Sequence, residues 1–135
     1  MSDNFEVTMP GQPPSWNHMY RWTTKTINGK VIRIQVLTDE ANLYKSQLSM
    51  VARAARPSDF RPQNQVIVAY FMFLGRELDD DNVMKATNDS LAIAIGVNDK
   101  KFRSMTMLKE HGHKDPHIVI RLYDADHWYA AVFHA

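Results

Sequence analysis

Acidic residues are concentrated between a long apolar run and an amphipathic helical pattern. Asp79, Asp80 and Asp81 are consecutive, and Lys85 follows one helical turn after Asp81. Carboxylates this close repel one another, and either a cation or the N-terminus of a helix relieves that repulsion. Mg²⁺ and Mn²⁺ prefer carboxylate oxygens, with water and substrate phosphate completing their coordination. Such an ion would polarise a phosphodiester and activate water, and the lysine would stabilise the charge that develops on the phosphate.

A helix cap explains the same residues without any metal. Acids at the start of a helix commonly cap it and are worth about 1 kcal/mol. Asp81, Lys85 and Asp89 could also form a solvated ladder of i,i+4 ion pairs worth a few tenths of a kcal/mol each. The residues alone leave the metal site and the cap open, and for Asp89 they favour the ion pair.

The elements around the acids follow from the hydrophobic pattern. Residues 66–74 are nearly unbroken in apolarity, which predicts a central strand covered on both faces. A helix should begin at Asp80 or Asp81, run to about Ile95 and end at Gly96. At 100° per residue, one polar face of this helix should carry Asp81, Lys85, Asn88 and Asp89. Asp99 follows the helix and begins a strand that could return beside the central one.

The remaining elements complete an α+β or mixed α/β sheet with two main helices, both packed on one face. An alternating strand lies near residues 5–9, and residues 13–20 form an extended loop that either packs on the core or lines a binding site. Asn28-Gly29 predicts a hairpin, and Thr38 predicts the start of a helix that Pro57 ends. Residues 101–109 and 118–122 should form a final hairpin. The predicted order is β, hairpin, α, β, α, β, β.

Composition places limits on the class of protein. The 135 residues are 44% hydrophobic with a net charge of +1, which predicts one soluble domain over residues 1–135. No cysteine is present, so disulfides, thiolate catalysis and cysteine-bound zinc are excluded. The polar N-terminus predicts no signal peptide, and no apolar run is long enough to cross a membrane, so we expect a cytoplasmic protein without a membrane partner.

Other charged groups suggest weaker hypotheses. Basic residues cluster locally, which would give sequence-independent affinity for DNA phosphates or form an ordinary solvated surface. They are Arg53, Arg56 and Arg61 near the end of the first helix, and Lys100, Lys101 and Arg103 after Asp99. His18, His111, His113 and His117 allow a zinc hypothesis, but polar turn histidines are the favoured interpretation. The tail from Asp126, with Trp128 and Tyr129, is apolar enough to dock on the core or on a second subunit.

The chain resembles the RusA-type Holliday junction resolvases over nearly its whole length. The resemblance begins with the loop Pro13-Pro14-Ser15-x-Asn17-x-x-Tyr20 and includes the helix that contains Tyr44. It continues through Asp79-x-Asp81-Asn82-x-x-Lys85 and ends with Asp99, which follows Gly96-Val97. The acidic motif with the later aspartate is fairly specific when the Pro-Pro-Ser loop precedes it.

The resemblance implies a function. Asp79, Asp81 and Asp99 would be catalytic carboxylates that bind Mg²⁺, or Mn²⁺ in its place, and Lys85 would be the catalytic lysine. The chain would be a homodimeric crossover junction endodeoxyribonuclease with a RusA-like fold, which binds branched DNA and nicks opposed strands of a four-way junction. Such enzymes serve DNA recombination and repair.

Two departures from the family pattern keep alternatives open. Asp80 stands where the family commonly has an apolar residue, and Asn98-Asp99 stands where it often has two acids. These differences motivate a second hypothesis, a non-cleaving branched-DNA-binding protein with a drifted active site. A third hypothesis is a metal-dependent phosphohydrolase for a small phosphoester.

Overall fold

The computed structural model describes residues 2–128, with Trp16 described by its backbone alone, and the apolar tail from Tyr129 onward lies outside this part. It is an α+β fold with a mixed sheet, and residues 2–128 contain four α-helical segments, two of them long, and one 3₁₀ turn, Asp99–Lys101. In chain order the elements are β1 (Asn4–Pro10), α1 (Trp16–Met19), β2 (Tyr20–Ile27), β3 (Lys30–Leu37), α2 (Asp39–Ala55), β4 (Val66–Phe73), α3 (Asp80–Ile95), β5 (Phe102–Glu110), β6 (His117–Asp124) and α4 (residues 125–128).

Four strands form one sheet in the order β1-β6-β4-β5, and β2 pairs with β3 in a separate hairpin. Strand β4 is central, as predicted, and is parallel to β5 but antiparallel to β6. A parallel pair needs a crossover connection, and α3 provides it. Within residues 2–128 no helix is long and apolar enough to cross a membrane.

The predicted pairing of the last two strands is wrong. Strand β6 does not pair with β5 but lies between β1 and β4. The connection between β5 and β6 crosses the end of β4, where the amide of His113 donates to the carbonyl of Leu74 at 3.0 Å. Placing β6 inside the sheet buries Ile118, Ile120 and Leu122 completely, whereas β5 is the edge strand and leaves Leu108 39% exposed.

Helices α2 and α3 pack on the same face of the sheet, as predicted. Their buried side chains share one core cluster with alternate residues of β1, β4 and β6. The opposite face of β4 is only partly covered, since Phe71 and Phe73 are half-buried among the described residues. Within residues 2–128 the predicted cover on both faces is therefore incomplete, and the rings of His117 and His113 lie against Phe73.

The expected helix boundaries and the hairpin turn are confirmed. The hydroxyl of Thr38 accepts a hydrogen bond from the amide of Ala41 at 3.2 Å, and α3 ends at Gly96 with φ of 68°. Asn28 and Gly29 both have positive φ. The extended loop predicted over residues 13–20 is wrong in part, because Trp16–Met19 form one helical turn and β2 already begins at Tyr20. A single turn is too short to give a periodic signal.

Two buried tyrosines differ in how their hydroxyl groups are satisfied. The Tyr70 hydroxyl lies 2.5 Å from the Thr87 hydroxyl and also donates to the Asn88 side chain. The Tyr44 hydroxyl is buried without a hydrogen-bond partner in the described part of the chain. Burial raises the pKa of both phenols, so both stay neutral.

This difference predicts opposite effects of the same substitution. Tyr44→Phe should raise the free energy of unfolding by about 1 kcal/mol, because it removes an unsatisfied buried group. Tyr70→Phe should lower it by about 1–2 kcal/mol, because it leaves the Asn88 carbonyl without its donor. Urea denaturation of the two variants and the wild type measures both values. Changes of the same sign would contradict the assignment.

Candidate active site

The polar face of α3 lines an open cleft of about 290 Å³. Asp81 and Lys85 are exposed there, one helical turn apart. Asp99 reaches the same cleft from the short 3₁₀ turn Asp99–Lys101, and Tyr20 reaches it from the first residue of β2. The remaining lining residues are Met84, Asn88 and Asp89. Three of the four sequence-predicted catalytic residues therefore border one cleft.

Asp99 comes to the cleft because α3 must end beside the start of β5. After Gly96 the chain reverses, and the side chain of Asn98 accepts a hydrogen bond from the amide of Lys100 at 3.0 Å. This bond fixes the turn that carries Asp99. Asp81 lies in the first turn of α3 and Asp99 lies beyond its last turn. Both carboxylates nevertheless border the same cleft as Lys85.

Asp79 is placed outside this cleft. It is the exposed N-cap residue of α3, and its side chain makes no capping hydrogen bond. The first residue of α3 that borders the cleft is Asp81, two positions after Asp79. Asp79 therefore does not cap α3 through a side-chain hydrogen bond. Asp80 and Asp81 lie in the first turn, where negative charge interacts favourably with the helix dipole.

The side chain of Asp80 binds to strand β5. Its two carboxylate oxygens accept from the Thr106 hydroxyl at 2.6 Å and from the Lys109 ammonium at 2.9 Å. The hydrogen bond from Thr106, followed by that from Lys109, lowers the pKa of Asp80. These contacts attach the first turn of α3 to the edge strand. Because successive helical residues differ by about 100°, attaching Asp80 to β5 directs Asp81 elsewhere.

The floor of the cleft is fixed by a polar network. The Asn88 amide oxygen accepts from the Tyr70 hydroxyl, and its nitrogen donates to Ser104 at 3.1 Å. These bonds connect α3 to β4 and β5. The predicted ion pair of Asp89 is present, but its partner is Lys45 of α2 at 3.5 Å rather than Lys85.

The chemistry of the donors suits a hard cation. Asp81 and Asp99 supply carboxylate oxygens, and a Mg²⁺ site needs only one or two carboxylates when water and phosphate complete it. Among residues 2–128, no cluster of three or more His, Cys, Asp or Glu side chains is arranged to hold a metal ion. The three carboxylates that the resemblance implies are accordingly not gathered at one point within the described part of a single chain.

Most of the predicted basic residues donate hydrogen bonds to backbone carbonyls of the same chain. Arg56 donates to the Phe60 carbonyl at 3.0 Å, Arg61 to that of Ser58 at 3.3 Å, and Lys101 to that of Gln63 at 3.4 Å. Arg53 instead lines a groove between α2 and α3, together with Lys45.

The predicted histidine turn also has local contacts. His113 lies 3.2 Å from the Glu110 carboxylate, and the His117 ring stacks on Phe73. Within the described residues, His113 therefore has a local partner in the connection between β5 and β6, and His117 packs at the start of β6.

Four cleft residues were not predicted as site residues: Met84, which was expected to face the core, Asp89, which was expected in an ion pair, Tyr20 and Asn88. Tyr20 belongs to the Pro-Pro-Ser loop motif, and its position in that motif was the available signal. Asn88 was placed on the polar face of the helix, but nothing in the sequence indicated that Tyr70 and Ser104 would hold it. Compared with known proteins, the sequence matches no family model, and no curated protein matches it significantly.

The contacts of Asp80 predict a pH-dependent stability. A carboxylate whose folded pKa is lowered stabilises the fold above its unfolded pKa of about 4, and this contribution disappears as pH falls through the folded value. Asp80→Asn should therefore lower the melting temperature at pH 7, and the difference from the wild type should shrink below about pH 4. Thermal unfolding from pH 2 to 8 measures this difference.

Glu77→Gln is the matched control. Its carboxylate lies 3.8 Å from the same Lys109 ammonium but is 70% exposed, so its removal should change the melting temperature little. A difference for Asp80→Asn that is constant across the pH range would contradict the account.

Proposed function

We propose that this chain is a Mg²⁺-dependent, structure-selective DNA endonuclease of the RusA type, which resolves four-way junctions by paired phosphodiester hydrolysis. The observation that carries the proposal is the shared cleft of Asp81, Lys85 and Asp99. Asp81 and Lys85 lie one turn apart on α3, and Asp99 comes from the 3₁₀ turn after the helix; the resemblance implies a catalytic role for all three. Asp80, which departs from the family pattern, is occupied elsewhere.

The cleft residues would have different roles in phosphodiester hydrolysis. Asp81 and Asp99, which border the cleft, are the carboxylates that would hold Mg²⁺, or Mn²⁺ in its place, and Asp79, which the resemblance also implies as a ligand, lies outside the cleft. When bound, Mg²⁺ would polarise the scissile phosphodiester and lower the pKa of the attacking water. Lys85 places its ammonium on the polar face of α3, where it would stabilise charge on the phosphate oxygens in the transition state. The Asn88 side chain accepts from Tyr70 and donates to Ser104, and these hydrogen bonds hold α3 against β4 and β5 beside the cleft.

The surroundings of the cleft favour a nucleic acid over a small phosphoester. The cleft is open, and Asp89 at its border also lines the groove that contains Lys45 and Arg53. No acidic residue occurs between Glu6 and Asp39, a stretch that includes the whole β2–β3 hairpin. A long polyanion could contact Lys45 and Arg53 as well as the cleft. A monophosphate would instead need an enclosed pocket.

The proposed enzyme acts as a homodimer. A four-way junction has two equivalent strands to cut, and an isologous dimer presents two identical clefts related by a two-fold axis. Paired cuts then require one cleft for each strand. The homodimer and the RusA-like character of the fold are part of the proposal.

Substitution of the cleft residues tests the proposal. Asp81→Asn should reduce cleavage of a synthetic four-way junction at least roughly hundredfold while leaving binding largely intact, because one carboxylate is lost without a change of shape. Lys85→Ala should reduce cleavage to a similar extent. Glu6→Gln is the control, because it also removes an exposed carboxylate, but on the face of the sheet opposite to α3, where Glu6 borders a separate cavity with Phe71 and Arg121.

The alternatives give different results in the same assay. Wild-type cleavage by Asp81→Asn would refute the site. Junction binding without any Mg²⁺- or Mn²⁺-dependent nicking by the wild type would establish the non-cleaving branched-DNA-binding protein. Release of phosphate from a nucleotide monophosphate, with all DNA substrates left intact, would identify a small-molecule phosphohydrolase.

A further inference from the structure

The β2–β3 hairpin presents one of its faces on the same side as the cleft. In an antiparallel pair, directly opposed residues share a face, and so do alternate residues along a strand. Tyr20 opposes Leu37, Trp22 opposes Gln35, and Thr24 opposes Arg33. These six residues therefore share one face, which begins at Tyr20 in the cleft wall. Trp22 stands two residues farther along β2, about 7 Å from Tyr20.

Trp22 is an exposed aromatic ring that a cation holds in place. Its side chain is 55% exposed, and the guanidinium of Arg33 lies 4.5 Å from the ring centroid. This cation–π contact crosses the hairpin diagonally and orients the indole. A large aromatic side chain this exposed and this ordered is suited to stacking with a planar partner.

The charge of the hairpin favours an anionic partner. Arg33 is the cation on the face of Trp22, whereas Arg21, Lys25 and Lys30 lie on the opposite face, and none of the four is opposed by an acid within the hairpin. A purely apolar partner would have to cover Arg33 and leave that charge without water, which is costly. The same face also carries the polar residues Thr24, Thr26 and Gln35 beside Trp22. Phosphates for the cations and a base for the ring are found together in a nucleic acid strand.

We propose that Trp22 and Arg33 form a stacking platform for an unpaired base of branched DNA, next to the phosphate that enters the cleft. This inference rests on the proposed function and adds a source of selectivity for branched over continuous DNA. A base in an intact duplex is stacked on both sides and is not accessible to the indole. A base at a branch point or in a single strand offers a free π-face at a smaller cost of unstacking.

The platform is tested by binding in EDTA, so that cleavage plays no part. Fluorescence anisotropy compares a four-way junction, a single strand and a blunt duplex at one salt concentration. Trp22→Ala should weaken binding of the junction and the single strand about tenfold, but that of the duplex by less than about twofold. Trp22→Phe keeps a π-face and should retain most of the affinity. Val31→Ala is the control, because Val31 is 70% exposed at the tip of the same face.

A second measurement locates the contact. 2-Aminopurine placed at the branch point should lose fluorescence when the wild type binds, and this loss should be absent with Trp22→Ala. Equal weakening on all three DNAs, or no weakening on any, would overturn the inference. So would a changed oligomeric state of Trp22→Ala in sedimentation, because the ring would then cover a second copy of the chain. Cleavage by the wild type is scored separately, so that either proposal can fail alone.

Discussion

The parallel pairing of β4 with β5 is the constraint on which the candidate site depends. Two neighbouring parallel strands cannot be joined by a tight turn, so the chain must return along the length of the sheet, and α3 makes this return. One side of α3 is buried against the sheet, and its other side is left polar. Asp81 at the beginning of the crossover and Asp99 just after its end must then border the same side of the helix. The wide separation of the two acids in sequence is a consequence of this topology.

The rotation of α3 about its own axis determines which of the three consecutive acids faces the cleft. Three consecutive aspartates differ little in a sequence, but they differ by about 100° around a helix axis. Asp80 faces β5 and is held by Thr106 and Lys109, whereas Asp81 faces the cleft. The pair formed by Asp80 and Lys109 therefore acts on the site indirectly, because it sets the rotation of the first helical turn.

The hydrophobic pattern predicted where the helices and strands lie in the sequence better than it predicted which strands pair with each other. The run at residues 66–74, the cap at Thr38 and the glycine at position 96 are local signals, and each marks a boundary that the structure contains. Alternation along β6 indicated which side chains are buried but not which strands lie beside it, so the predicted hairpin with β5 was wrong. The polar face of α3 was likewise predictable from helical periodicity. The contacts of Asp89 with Lys45 and of Asn88 with Tyr70 were not, because both partners lie on other elements.

Hydrolysis of DNA at branch points, with the help of a divalent cation, is the activity that we propose for the cleft. Its most direct test is a time course of the wild-type protein on a synthetic four-way junction and on a duplex of the same sequence, each with and without Mg²⁺. We expect symmetric nicks in the junction with Mg²⁺, no nicks in the junction without the ion, and no cleavage of the duplex. Equal cleavage of junction and duplex, or an intact junction in the presence of Mg²⁺ and Mn²⁺, would contradict it.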